Sequence, residues 1–226
     1  MKRFLLFLIL SLTFMEAAHA APCYGTNMPE RRKFSAMFES YTIFKRYLRE
    51  NFGNVKSQQE FFGMSYGVFD WLAIDLKAGA GDIRQYPVNA DKISYGSSFA
   101  GGYGLRAKLL DMNKTKVVFG FQHISVHPYS THVGDLKHKA ILDDWQTSLL
   151  VSYEISRFTP YLGTRWSRVD YIHWTGEDRK RITSDASKGV GLITGCSYSV
   201  TKNIWVNVEG EFFDSNALAG SVNYNF

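Results

Sequence analysis

The sequence predicts an all-β chain, a transmembrane antiparallel up-and-down β-barrel of ten strands, with eight as the alternative count. Three observations carry that prediction. From residue 34 onward the chain breaks into ten runs in which apolar and polar residues alternate with period two. The connections between runs fall mostly into two alternating classes, short and long. The final run alternates through Leu218, Gly220, Val222 and Tyr224 and stops on the aromatic Phe226 in mid-strand.

The first residues carry an address. Met1-Lys2-Arg3 is cationic, Phe4 to Met15 is mostly apolar, and Ala18-His19-Ala20 is a small-x-small cleavage signal, so residues 1–20 are expected to be a secretory signal peptide. The apolar run is about a dozen residues, short of the roughly 20 that span a bilayer, and Glu16 interrupts it. Pro22 before Cys23 argues against a lipid anchor. Residues 21–33 are then a periplasmic N-terminal segment and residues 34–226 the barrel. No later segment is an apolar run of 18, so any crossing is made by strands.

Composition agrees with strands. Aromatics make up 15% of the chain, with 19 glycines and only 5 prolines. The net charge of +5, or +4 without Lys2, Arg3 and Glu16, lacks the clustered basic face of a nucleic-acid binder, and no nucleic-acid partner is expected. Cys23 and Cys196 would share an oxidising compartment and the same side of the membrane, where a disulfide is one expectation. The parity of Cys196, shared with Leu192 and Tyr198, instead suits a lipid-facing thiol.

The ten runs are 34–48, 56–68, 71–80, 94–109, 115–126, 145–156, 159–172, 188–200, 203–213 and 216–226. Each has the roughly 9 to 11 residues of a tilted crossing strand. The first is the least regular, because apolar residues on both parities of Phe34 to Leu48 also suit a short helix. Connections after runs two, four, six and eight are short, around Phe69-Asp70, Asp111 to Lys114, Arg157-Phe158 and Thr201-Lys202. Those after runs three, five and seven are long: Gly81 to Ile93, His127 to Asp144 and His173 to Ser187. Short periplasmic turns and long outer loops are the asymmetry of an outer-membrane barrel. Asp214-Ser215 departs from it, an outer connection that is short.

Parity then divides the faces. Phe62, Met64, Tyr66, Leu72, Ile74, Leu76, Phe99, Tyr103, Val117, Phe119, Phe121, Leu149, Val151, Val206 and Val208 form the lipid-facing set. The opposite set is small, polar or charged. It would place Asp75, Lys77, Arg106, Lys108, Glu154, Arg165, Glu209 and Glu211 in a narrow lumen, where opposite charges should pair. A structural salt-bridge network is the expected result, with a small gated channel as the alternative. Trp71, Tyr161, Trp205 and Phe226 near the short turns, and Trp145, Tyr171 and Trp174 near the long loops, suit aromatic girdles.

The signal segment, the alternating strands and the Leu-x-Gly-x-Val-x-Tyr-x-Phe ending of Leu218 to Phe226 resemble small bacterial outer-membrane β-barrel proteins. That resemblance implies location in the outer membrane of a Gram-negative-type cell. It also implies contact with outer-membrane lipid and lipopolysaccharide, and insertion by the barrel-assembly machinery through the last strand. It implies no particular activity.

One local segment carries chemistry. His123, Ser125 and His127 continue the lipid-facing row of Phe119 and Phe121, and Asp143 shares the outward parity of Leu149. A hydroxyl, an imidazole and a carboxylate on one surface are the minimum for a nucleophile, a base and an orienting acid. His123-x-Ser125 resembles the His-x-Ser motif of outer-membrane lipid A deacylases, which would make Ser125 nucleophile and His123 base. That family uses a glutamate where this chain offers Asp143, and Asn-Ala commonly follows its serine where this chain has Val126-His127. A non-catalytic structural, adhesive or small-solute role is the principal expectation and a serine esterase acting on lipid the alternative. The charge-rich Gly176 to Arg181 is a candidate surface contact.

No metal site is expected from His123 and His127, since residues four apart on a strand stand roughly 13 Å apart. His132 and His138 lie in the long loop. With no phosphate-binding glycine loop, no CxxC pair and no heptad stretch, no cofactor is expected.

Overall fold

A computed structural model describes residues 25–49 and 52–226. The expected signal segment and Cys23 lie outside those residues, and with Cys23 the Cys23–Cys196 pairing.

The strands are β1 (Phe34–Tyr47), β2 (Asn54–Phe69), β3 (Leu72–Tyr86), β4 (Ile93–Met112), β5 (Thr115–Val126), β6 (Thr131–Val133), β7 (Leu136–Tyr153), β8 (Phe158–Thr175), β9 (Asp178–Thr183), β10 (Val190–Ser199), β11 (Ile204–Phe212) and β12 (Ser215–Asn225). Ten of them close into an antiparallel barrel in the order β1-β2-β3-β4-β5-β7-β8-β10-β11-β12, with β12 paired back onto β1. The first run is strand throughout, without the helix its mixed parity allowed.

Faces follow the parity. Phe38, Phe62, Leu76, Phe99, Val208, Leu218 and Val222 project outward and stay exposed, an arrangement that favours lipid over water as the surrounding solvent. Asp75, Lys77, Arg106, Arg165, Glu209 and Glu211 project inward and are buried.

The long outer loops are mostly strand. β3 runs on to Tyr86, β4 begins at Ile93 and β7 already at Leu136, while β6 pairs with the top of β7 and β9 with the top of β8. The alternation of apolar residues marks only the stretch of each strand inside hydrocarbon. Above it the outward positions turn polar, as at Asp82, Arg84, Lys137 and Lys139, and the pattern vanishes although the ladder continues. β8, at 18 residues, rises roughly 45 Å at a tilt near 40°, well above an apolar band of about 25 Å.

One sector of the wall is built differently. β10, β11 and β12 stop at Val190, Phe212 and Ser215, while β8 continues from Trp166 to Thr175. β9 fills the space they leave and reaches β1: Leu48 bridges Ser184, and the Arg49 N–H donates to the Thr183 carbonyl at 3.1 Å. The short Asp214-Ser215 connection is therefore an inner corner beneath β9, which is why no long loop is needed there.

The interior holds an unexpected apolar core. Tyr41, Ile43, Phe61, Ile83, Tyr95, Ile124, Val126, Leu142, Val169 and Tyr171 point inward and pack into one cluster. This explains the mixed parity of the first run: Tyr41 and Ile43 fill the lumen while Phe38 and Phe44 face out.

Candidate functional site

The short-turn end of the lumen is crossed by residues 25–33. Thr26 Oγ1 donates to Ser152 Oγ at 2.7 Å on β7, the Arg106 guanidinium on β4 donates to the Asn27 carbonyl, and Arg31 bridges Gly67 on β2. Gly67 permits this close approach, since a Cβ there would stand 2.1 Å from the Glu30 carbonyl oxygen.

Above this strap the lumen charges pair. Asp75 accepts from Arg106 Nε at 2.9 Å and Nη2 at 2.7 Å, and Lys77 Nζ lies 3.2 Å from Glu39, with both of those side chains 1% exposed. Across the barrel, Arg165 bridges Glu211 and Asp214 and donates to Gln146 Oε1 at 2.8 Å and Ser215 Oγ at 2.6 Å. Asp214 also accepts from Arg46 Nη1 at 2.9 Å and Ser167 Oγ at 2.5 Å, and Tyr161 Oη donates to Glu209 at 2.8 Å. A Cβ on Gly191 would stand 1.9 Å from Asp214 Oδ1, so glycine at that position lets the carboxylate turn inward.

Two of the expected lumen charges stand apart. Lys108 pairs with Asp111 at 2.6 Å near the short β4–β5 turn, and Glu154 is exposed beside the β7–β8 turn. Both are too near the strand ends to reach the interior. Three members of the network were not anticipated: Glu39, Arg46 and Asp214. Glu39 and Arg46 sit in the run with mixed parity, and Asp214 sits in a turn, where strand parity gives no direction.

On the outside wall, His123, Ser125 and Asp143 do share one surface, because Ser125 and Asp143 are cross-strand partners. Ser125 Oγ bonds Asp143 Oδ1, and His127 Nε2 lies 2.8 Å from the same hydroxyl. His123 Nε2 is 3.7 Å from Asp143, beyond hydrogen-bond reach, and its ring lies 3.9 Å from that of Trp145. In a serine relay the imidazole stands between hydroxyl and carboxylate. Here the hydroxyl stands between them: its proton goes to Asp143, and His127 donates to its oxygen. The imidazole touching Ser125 is that of His127, two residues on along the outward row.

The wall around this cluster has its own relief. Asp170, across from Asp143, pairs with Arg168 at 3.1 Å and with Arg181 on β9. Lower on the same strands lies a groove of about 400 Å3 among Phe119, Thr147, Leu149, Thr164 and Trp166. Among the described residues no cluster of three or more His, Cys, Asp or Glu side chains is arranged to hold a metal ion.

A closed barrel with an apolar outer wall, a buried charged interior and short turns at one end defines an outer-membrane β-barrel protein. Within that class the chain belongs to the Opacity family porin proteins, whose family description matches residues 83–223. Among curated relatives, a segment of 28 residues is 54% identical to the major outer membrane porin, serovar A, of Chlamydia trachomatis; that segment is 12% of this chain and 7% of the porin. The chain thus spans a small part of the curated relatives it matches. Among solved structures, the transport unit of the autotransporter AIDA-I from Escherichia coli is 11% identical with a TM-score of 0.50, over 95% of this chain and 97% of that one. The likeness is one of fold. The outer membrane protease OMPT from Escherichia coli is 13% identical with a TM-score of 0.45, over 89% of this chain and 99% of that one.

Proposed function

We infer that this family member is a sealed barrel that acts at the cell surface through its outer strands and turns, without conducting solute through its lumen. The observation that carries this reading is the apolar plug. Phe61, Ile83, Val126, Val169 and Tyr171 are fully buried inside the barrel, at a level where a conduit would need polar walls around water. The paired charges and the strap across the periplasmic mouth add to it. The same barrel presents β12 as the strand that closes onto β1, and its outward row Leu218, Gly220, Val222, Tyr224 and Phe226 is the segment we assign to recognition by the barrel-assembly machinery.

Planar-bilayer recording of the purified full chain tests the seal. Wild type should be silent, and Phe61→Ala with Tyr171→Ala should give discrete openings while still migrating in heat-modifiable form. Regular openings in wild type would overturn the reading.

A further inference from the structure

We propose that the outer wall formed by β5, β7, β8 and β9 is a binding site for one phosphate-bearing acyl lipid of the outer leaflet, its chain in the groove and its phosphate at the basic rim above. The inference holds whether or not the lumen conducts.

The groove exists because two short outward side chains, Thr147 and Thr164, fall among large ones. Phe119 and Leu149 are cross-strand partners on one side, and Trp166 lies directly across from Thr147 on the other. Within hydrocarbon such a depression is filled by an acyl chain, since an empty one forfeits van der Waals contact along its whole lining.

The rim lies on the same strands. From Thr147 to Asp143 is four residues, roughly 13 Å along β7, and from Trp166 to Arg168 only two. Outward above the groove stand first Arg168, across from Trp145, then Arg181 beside Ile172, and at the top of the wall Lys139 and Arg179 beside Trp174, against the acids Asp143 and Asp170. The acids are less exposed than Arg168 and Arg181. Asp170 is 2% exposed and held by Arg168 and Arg181, and Asp143 is held by Ser125. The guanidiniums remain accessible, 37% exposed at Arg168 and 53% at Arg181, so the field presented outward is positive. Guanidinium forks match phosphate geometry, and Trp145, directly across from Arg168, suits the boundary between chain and headgroup, while Trp174 higher on β8 lies 5.4 Å from the Arg179 guanidinium. An amphiphile with a phosphate head and an acyl tail satisfies both halves of the wall; a zwitterionic headgroup would bring its cation against the arginines. Lipopolysaccharide, an expected partner on sequence grounds, has this chemistry.

Trp166 in the groove supplies the readout. The full chain is reconstituted in phosphatidylcholine bilayers containing a minor fraction of either phosphatidic acid or phosphatidylcholine with brominated acyl chains. Tryptophan quenching by the brominated phosphatidic acid should exceed that by its choline counterpart by about threefold, the size given by one or two exposed charge pairs. Arg168→Gln, which leaves Arg181 on Asp170, should reduce the preference. Thr164→Phe should reduce quenching by both lipids by filling the groove. Each variant is first checked for heat-modifiable migration. Equal quenching by the two lipids in wild type, a preference unchanged in the charge variant, or quenching unchanged in Thr164→Phe overturns the proposal. So does erasure of the preference by inorganic phosphate alone, which would leave the groove without a part in binding.

Discussion

Asp214→Asn isolates the buried charge balance under β9. In the wild type two guanidiniums, Arg46 and Arg165, face two carboxylates, Glu211 and Asp214, with side chains at most 2% exposed. The amide keeps the shape of the carboxylate and removes its charge. Arg165 retains Glu211, but Arg46 loses its ion pair and keeps only neutral acceptors, among them the Ser167 carbonyl at 3.1 Å and Ser184 Oγ at 3.3 Å. A buried charge deprived of its partner typically costs about 3–5 kcal/mol, whereas removing both members of a pair is often close to neutral. With a urea slope of ~2 kcal/mol per molar, the unfolding midpoint of Asp214→Asn should fall by ~1.5–2.5 M. Arg46→Met should recover most of that loss when added to Asp214→Asn, because the remaining Arg165 and Glu211 are balanced. The assay is equilibrium unfolding in lipid, followed by heat-modifiable migration. A single variant within a few tenths of a molar of wild type, or a double variant worse than the single, would refute the argument that Asp214 is there to neutralise Arg46.

Gly191→Ala should reproduce part of the same defect without touching a charge, since its Cβ would displace the Asp214 carboxylate; unfolding in urea with an unchanged midpoint would remove steric control from the account. His173, above the membrane on β8, has its pKa lowered by burial first, with His138 and Lys180 adding. Its folded value lies below the unfolded one, near 6.5, so its contribution to stability is complete above that pH and is lost as pH falls from there toward the folded value. Amide exchange in the tops of β8 and β9, compared at matched intrinsic rates, should therefore accelerate as pH falls below about 6.5 and lose that dependence in His173→Gln. Tyr224→Ala with Phe226→Ala should lower the membrane-inserted fraction in cells much more than refolding into detergent; equal loss in both would point to barrel stability instead of assembly.

Much of the fold was legible because one physical rule, alternation between lipid and interior, acts on nearly every residue within the apolar band. Phe62 to Tyr66 and Leu72 to Leu76 could be assigned to a face from sequence alone, and so could Asp75, Arg106 and Arg165. The rule fails where its cause is absent. Above the bilayer the outward row of β7 turns to Lys137 and Lys139 while Ala140 and Leu142 face the interior, the reverse of the lipid-band pattern, so Leu136 to Leu142 reads as loop. Inside, the rule assumes a polar filling, and the apolar Tyr41, Ile83 and Ile124 break it. Pairing partners were less legible still, because Asp214 lies 168 residues from Arg46 and belongs to a turn. On the outer wall, parity placed Ser125 beside Asp143 but left the imidazole undecided: His123 and His127 share a face, and cross-strand stacking with Trp145 draws the first away.

The same extension of strand past the membrane bears on how the protein meets a partner. A surface made of floppy loops must be ordered at the moment of contact, at about 1–2 kcal/mol of backbone entropy for each residue fixed. Here β3, β4, β7 and β8 carry their ladders upward, β6 and β9 widen the wall, and Arg49 and Ser184 tie β9 to β1. The charge-rich candidate contact in the long connection after run seven, Gly176 to Arg181, is mostly strand, with Arg179 over Trp174 and Arg181 on Asp170. Its guanidiniums are thus held in place before any ligand arrives, and the ordering cost falls on folding instead of binding. Loosening β9 at its junction with β1, as by Ser184→Pro, should accordingly weaken contacts made by Arg179 and Arg181 through faster dissociation, with the association rate little changed.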